Sequence, residues 1–343
     1  MKLPFVQPKM MGEMIRRQIR AVLYRDSVST TAELAQTTGI SFPTISKTLD
    51  EMNEQGEVVL TGLGASSGGR RPKQYRLNAD HMAGLAVALE KDYSCYALLN
   101  YVGEVIGREK LPGVLHDGPE RLTEQIGTFV QRYPHLRALT LGVPGAVNNG
   151  RVFHIPDYEK FKNLDFKGLY EERFSLRVQV ENDMNATVLG YQDRSGDDQN
   201  RSLVYLYLGQ NGPGAGIMVN GDVVRGSSFF SGEVSFLPLY DSHNFSQAVQ
   251  EPPSAQDGTE RREKLIDAMS RLVAVFTATL NPHTVLFCST DMTERDLADV
   301  RKGSACYVPA DNLPSLLVRD WEEDYFHGLN QLTIRTMLSL GID

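Results

Sequence analysis

The 343-residue chain has only three cysteines, Cys95, Cys288 and Cys306, far apart in sequence and in no Cys-x-x-Cys pair. That pattern gives no disulfide framework and suits a reducing cytoplasm. No apolar run approaches the roughly 18 residues that a membrane-spanning helix requires. The first residues, Met1-Lys2-Leu3-Pro4-Phe5-Val6-Gln7-Pro8, lack the apolar segment of a secretory leader. These absences point to a cytoplasmic protein with no membrane partner. What the chain does have is 41% hydrophobic and 23% charged residues. At this length that supplies core for two or three domains.

Charge is unevenly spread. Residues 1–80 carry 11 Lys+Arg against 8 Asp+Glu, a net of +3, so the remainder carries −11 of the total of −8. A basic head on an acidic body is the asymmetry of a chain that meets nucleic acid at one end.

The head has its own punctuation. Met11, Ile15, Ile19, Val22 and Leu23 recur at helical spacing, predicting a helix over about 9–25. Thr30 and Glu33 form a capping box for a second helix, which Gly39 ends. Ser41 is placed to cap a third, with Pro43 in its first turn and Ile45, Leu49 and Met52 along one face. Two short helices about Thr38-Gly39-Ile40 have helix-turn-helix spacing. Strands at Val58–Leu60 and Gln74–Leu77 flank a glycine-rich loop containing Arg70 and Arg71, which makes a wing. The third helix then belongs in a DNA major groove, offering Ser41, Phe42, Thr44, Ser46, Lys47 and Thr48 to bases and phosphates. Arg70 and Arg71 would grip the backbone or enter the minor groove. The competing interpretation is a small helical domain that binds a protein.

Beyond Asp80, strands and helices alternate, which argues for an α/β body. Strands are expected at Gly84–Leu89, Ser94–Leu99 and Val105-Ile106, a helix over about 118–132, a buried strand from Leu139, and a helix from Leu164 to Phe174. A strand ending in Glu181-Asn182-Asp183 then feeds a helix beginning near Asn185. A carboxylate at a strand end beside a helix start is a ligand-facing position in α/β folds, though it serves equally as a helix cap. Longer helices are expected over about 261–280 and 321–340.

Gly142-Val-Pro-Gly145, Val180-Glu-Asn-Asp-Met-Asn-Ala186, Leu206-Tyr-Leu-Gly209 with Gly212-Pro-Gly214-Ala-Gly216, and Ser231-Gly-Glu233 follow one another in an order that resembles the ROK family of bacterial sugar kinases and sugar-responsive repressors. The resemblance covers nearly the whole chain. It implies an N-terminal winged helix-turn-helix followed by a two-lobed actin-like (ribonuclease H-like) fold. The head would span 1–79, the first lobe 80–187 completed by the helix 321–340, and the second lobe 188–320. It also implies that Asn182, Asp183 and Glu233 bind sugar hydroxyls.

Departures from the kinase pattern are systematic. Kinases of the family cradle ATP phosphates with Asp-x-Gly-Gly-Thr in the first hairpin, where this chain has Ala86-Val87-Ala88-Leu89-Glu90. After Asn281-Pro282, Val285–Thr290 contains no glycine, where the kinases hold adenosine in a glycine-rich loop. Phe236 replaces the histidine expected after Gly232-Glu233, and residues 239–256 contain no cysteine, so the family's four-ligand zinc cannot be built. His243 is expected at the surface, and Glu251 is a candidate, with no motif behind it, for the family's later sugar-binding glutamate. The expectation is a homodimeric or dimer-of-dimers repressor of a carbohydrate-related operon on a pseudo-palindromic operator, with a sugar or sugar-derivative effector, no cofactor, no metal and no kinase activity. Its alternatives are an active sugar kinase with an added head, and a regulator whose body is only a scaffold.

Overall fold

A computed structural model describes residues 8–63, 72–196, 201–250 and 258–340. The head comprises α1 (Pro8–Asp26), β1 (Ser29–Thr30), α2 (Thr31–Thr38), α3 (Phe42–Glu54), β2 (Val58–Leu63) and β3 (Lys73–Leu77). Thr30 and Glu33 form the reciprocal capping box, and Gly39 takes the left-handed conformation (φ 69°) that turns the chain from α2 into α3. Ile45, Leu49 and Met52 are fully buried against α1 and the sheet β1-β3-β2. Ser41 sits at the start of α3 but makes no cap to the backbone. Its hydroxyl instead pairs with that of Thr44 at 2.8 Å, so the first turn of α3 keeps free N–H groups, the feature that lets a helix start meet phosphate.

The first lobe contains β4 (Ala83–Leu89), β5 (Tyr93–Asn100), β6 (Val105–Pro112), α4 (Pro119–Arg132), β7 (Leu136–Val143), β8 (Ala146–Asn148), β9 (Arg151–His154), β10 (Leu164–Asp165), α5 (Phe166–Phe174) and β11 (Arg177–Asn182), and α6 (Asp183–Ser195) leads from it toward the second. The second contains β12 (Leu203–Tyr207), β13 (Gly214–Val219), β14 (Asp222–Val223), α7 (Phe245–Gln250), α8 (Gly258–Leu280), β15 (Thr284–Cys288), α9 (Glu294–Ser304) and β16 (Ser315–Arg319), and α10 (Trp321–Leu338) follows. The sheets run β6-β5-β4-β7-β11 and β14-β13-β12-β15-β16. Each is three antiparallel strands extended by two parallel ones, in the same relative order. Leu164–Asp165, expected in a helix, pairs with β9 instead, and the Asp165 carboxylate caps the helix that starts one residue later.

Helices α10 and α6 are stacked between the two sheets, α10 against β4 and β7, α6 against β12 and β13. Residue size explains the fit. The first sheet turns small residues toward α10, and a Cβ on Gly142 would lie 2.2 Å from the Tyr325 hydroxyl. The two helices cross at glycines: a Cβ on Gly328 would lie 1.8 Å from the Ala186 carbonyl, and one on Gly190 1.9 Å from that of Asp324. The opposite face of the first sheet turns Leu85, Val87, Leu139 and Leu141 into a second core with α4 and α5. Buried on both faces, β4 reads as a continuous apolar run, not an alternating one.

Candidate functional site

β11 and its parallel neighbour β7 end together, with Asn182 opposite Val143. Asn182 is the N-cap of α6. Its side-chain oxygen accepts from the Asn185 N–H at 2.9 Å, while its amide nitrogen donates to the Gly145 carbonyl at 3.1 Å and to Asp183 Oδ1 at 2.9 Å. The capping role considered for Asp183 therefore belongs to Asn182. Asp183 is the first residue of α6, and its Oδ1 also accepts from the Met184 N–H at 2.7 Å.

Asn182 and Asp183 line a cleft between the lobes whose opposite wall includes Gly209, Asn211, Gly232 and Glu233. Gly232 (φ 95°) makes that wall possible, because a Cβ there would lie 2.1 Å from the Ala215 carbonyl. The turn brings Glu233 into the cleft, so all three residues expected to bind a sugar share one cavity. Two contacts bridge the lobes beside it: Tyr158 Oη donates to Asn211 Oδ1 at 2.8 Å, and Arg225 pairs with Glu181 at 2.5 Å.

The cleft is acidic, and its carboxyl groups are buried. Burial, opposed by the Met184 N–H and reinforced by Glu233, raises Asp183 to about 7. Burial raises Glu233 too, against the influence of His154. At the end of β4, Glu90 is 3% exposed, and its Oε1 has no hydrogen-bond partner. Burial, then Asp183 and Glu322, push it up to about 9, so it stays protonated at neutral pH. The corner beyond is aromatic: Tyr207, a cleft residue, stacks on Trp321 at 4.3 Å between ring centroids, and Trp321 on Tyr325 at 5.0 Å.

On the head, Phe42 is 55% exposed and the Lys47 side chain 81% exposed, with Glu51 4.0 Å from its ammonium. Thr44 and Ser46 are half-buried, and Thr48 donates its hydroxyl back to the Thr44 carbonyl. Arg70 and Arg71 lie outside the described residues, as does Glu251. His243 is exposed. Among the described residues no group of three or more His, Cys, Asp or Glu side chains is placed to hold a metal ion, and no helix is long and apolar enough to cross a membrane.

A buried joint ties head to body. Arg20 Nε donates to Glu57 Oε1 at 2.5 Å, Tyr101 of the first lobe donates to the same oxygen at 2.8 Å, and Arg20 also donates to the Leu340 carbonyl, just beyond α10, at 2.6 Å. All three side chains are at most 5% exposed. Sequence reasoning missed this joint, the aromatic stack and His154. The local signal at the joint was opposite charge at Arg20 and Glu57, each next to an apolar core position.

A winged helix-turn-helix joined to a two-lobed actin-like body defines the class. The ROK family profile matches residues 85–250, within this body. The chain is 30% identical over 231 residues to the xylose repressor of Caldicellulosiruptor bescii, covering 64% of this chain and 57% of that protein. It is 26% identical over 153 residues to the glucokinase of Halalkalibacterium halodurans, covering 42% and 46%. The chain thus spans about half the length of the curated relatives it matches. A crystal structure of a ROK family transcriptional regulator, homologous to the Escherichia coli MLC protein, superposes with a TM-score of 0.76 at 19% identity over 97% of this chain and 98% of that one, which establishes the fold of head and body alike.

Proposed function

We propose that this chain is a DNA-binding repressor of a carbohydrate-related operon, whose body senses a sugar in the interlobe cleft and does not phosphorylate it. Glu90 is the observation that carries this reading. Phosphoryl transfer depends on backbone amides, cations and metal placed around phosphates. The first hairpin instead ends in a sealed carboxyl, which would repel a phosphate if ionised and supplies no cation if protonated. Relatives named for xylose repression, and the winged head, support the DNA-binding half of the proposal.

In this reading the head is 1–79, the first lobe 80–187 with the helix 321–340, and the second lobe 188–320. Ser41, Phe42, Thr44, Ser46, Lys47, Arg70 and Arg71 contact DNA, and Asn182, Asp183 and Glu233 hold the sugar. A homodimer presents two recognition helices to two half-sites. Coupling follows from the layers. A sugar that binds one lobe arrangement better than another shifts α6 against α10. The far end of α10 meets the head at Arg20.

Asp183 favours a second reading. A carboxyl raised to about 7 is well matched to general-base work on a sugar hydroxyl, as in a sugar kinase. Two assays separate the readings. The repressor reading expects sequence-specific footprints on duplexes selected from a random pool and no ADP release over a hexose and pentose panel. The kinase reading expects sugar-dependent ADP release that Asp183→Asn abolishes.

A further inference from the structure

We infer that His154 is a ligand-binding residue of the interlobe cleft, reaching the sugar from the first lobe where Phe236 offers no polar group from the second. This rests on the reading of the cleft as a sugar site. His154 closes β9 and pairs with Ala146 across the small sheet. A Cβ on Gly145, a cleft residue, would lie 2.4 Å from the His154 carbonyl. The imidazole stands edge-on to Phe230, with 5.8 Å between centroids, and Phe230 lies 5.4 Å from Phe236. Both phenylalanines flank Glu233 in the second lobe, so His154 bridges the lobes at the edge of the cleft. It is also close enough to Glu233 to favour that residue's charged form.

The hydrogen-bond inventory gives the histidine its role. Asp183 and Glu233, once ionised, only accept, so they take protons from sugar hydroxyls. Each hydroxyl oxygen also accepts; Asn211 and Ser231 of the cleft lining can donate to it, and a donor on the first-lobe side beside Glu233 would complete the set. Asn182 cannot serve, because its amide is engaged by Gly145 and Asp183. His154 Nε2 is shielded from solvent and has no hydrogen-bond partner among the described residues. A shielded ring nitrogen left unpaired is costly, and a hydroxyl that both donates and accepts satisfies it in either tautomer. The ligand class is a neutral monosaccharide with adjacent hydroxyls spanning Asp183, Glu233 and His154.

The test is calorimetric titration of the full chain with D-xylose and D-glucose, comparing wild type, His154→Phe, His154→Gln and Asp183→Asn, with melting of each sugar-free protein as the folding control. Phenylalanine keeps the ring contact with Phe230 and removes the nitrogens; glutamine keeps a donor and an acceptor. The expected result is sugar affinity roughly ten-fold or more weaker in H154F at unchanged sugar-free melting, with H154Q within about three-fold of wild type. If D183N loses binding while H154F binds as wild type does, His154 is not a ligand residue and the sugar reading stands. If wild type binds neither sugar, both fall. Should H154F not fold, the ring resonances of His154 in wild type, identified by their loss in H154Q, must move on sugar addition; unmoved resonances overturn the inference.

Discussion

Glu90→Gln isolates the buried carboxyl at the end of β4, close enough to the cleft to feel Asp183. The unfolded chain ionises a glutamate near 4.5, and burial beside Asp183 and Glu322 raises Glu90 to about 9 in the folded chain. Between those values the folded protein holds a proton that the unfolded chain has released. The associated stability is therefore fully present below about 4.5 and is lost as pH rises toward 9. Each pH unit in that window costs about 1.4 kcal/mol. Glutamine removes the linkage at nearly the same shape, but it brings amide donors to a position where Oε1 already lacks a partner, at about 1–3 kcal/mol independent of pH. The sign of the net effect at one pH is thus set by two opposed terms, whereas its slope is set by the proton alone. From about pH 5.5 to about pH 7.5, the stability of E90Q minus that of wild type should rise by about 2–3 kcal/mol. Urea unfolding followed by fluorescence of Trp321, the single tryptophan and a neighbour of Tyr207, measures both proteins under identical conditions. A difference that stays flat across that range would refute the sealed, protonated Glu90.

Lys47→Ala should weaken specific DNA binding several-fold and lower the salt slope of binding by about 1, read from titrations at several salt concentrations, because the exposed ammonium is placed to neutralise one phosphate. Asp183→Asn and Glu233→Gln should each abolish any sugar-dependent rise in melting temperature without unfolding the sugar-free protein, as measured by a thermal-shift series. Gly328→Ala forces a methyl group into the Ala186 carbonyl and should lower stability by about 1–3 kcal/mol in urea unfolding. Tyr101→Phe removes one bond to Glu57 from the head–body joint. It should cost about 1–2 kcal/mol of stability and leave sugar affinity intact, while the effect of sugar on DNA affinity shrinks.

The head was legible because its cues are local. A capping box, a left-handed glycine and an apolar stripe each act within a few residues, and α2 and α3 follow from them. The strand-to-helix passage at Asn182-Asp183 was legible for the same reason, although which of the two caps the helix depended on where the Asn182 amide could reach. The sealing of Glu90 was not legible, because the sequence places a carboxyl at the end of β4 but not the Glu322 and Tyr325 side chains that α10 brings near it from the far end of the chain. His154 was overlooked because its partners, Phe230 and Glu233, lie on the other lobe and leave no periodic trace around it. Gly190 and Gly328 look like lone weak points in helices until the crossing of α6 and α10 shows each admitting the other's backbone.

Central to the account is that a sugar held at Asp183 is read out at the Phe42–Glu54 helix. The most direct measurement is fluorescence anisotropy of the full chain on a selected duplex, titrated with and without a saturating sugar that raises its melting temperature, in wild type and Asp183→Asn. Specific binding by both proteins and a sugar-induced loss of affinity in wild type alone are the expected result. Equal DNA affinity with and without the sugar in wild type, or ATP-dependent phosphorylation of that sugar in the absence of specific DNA binding, would contradict it.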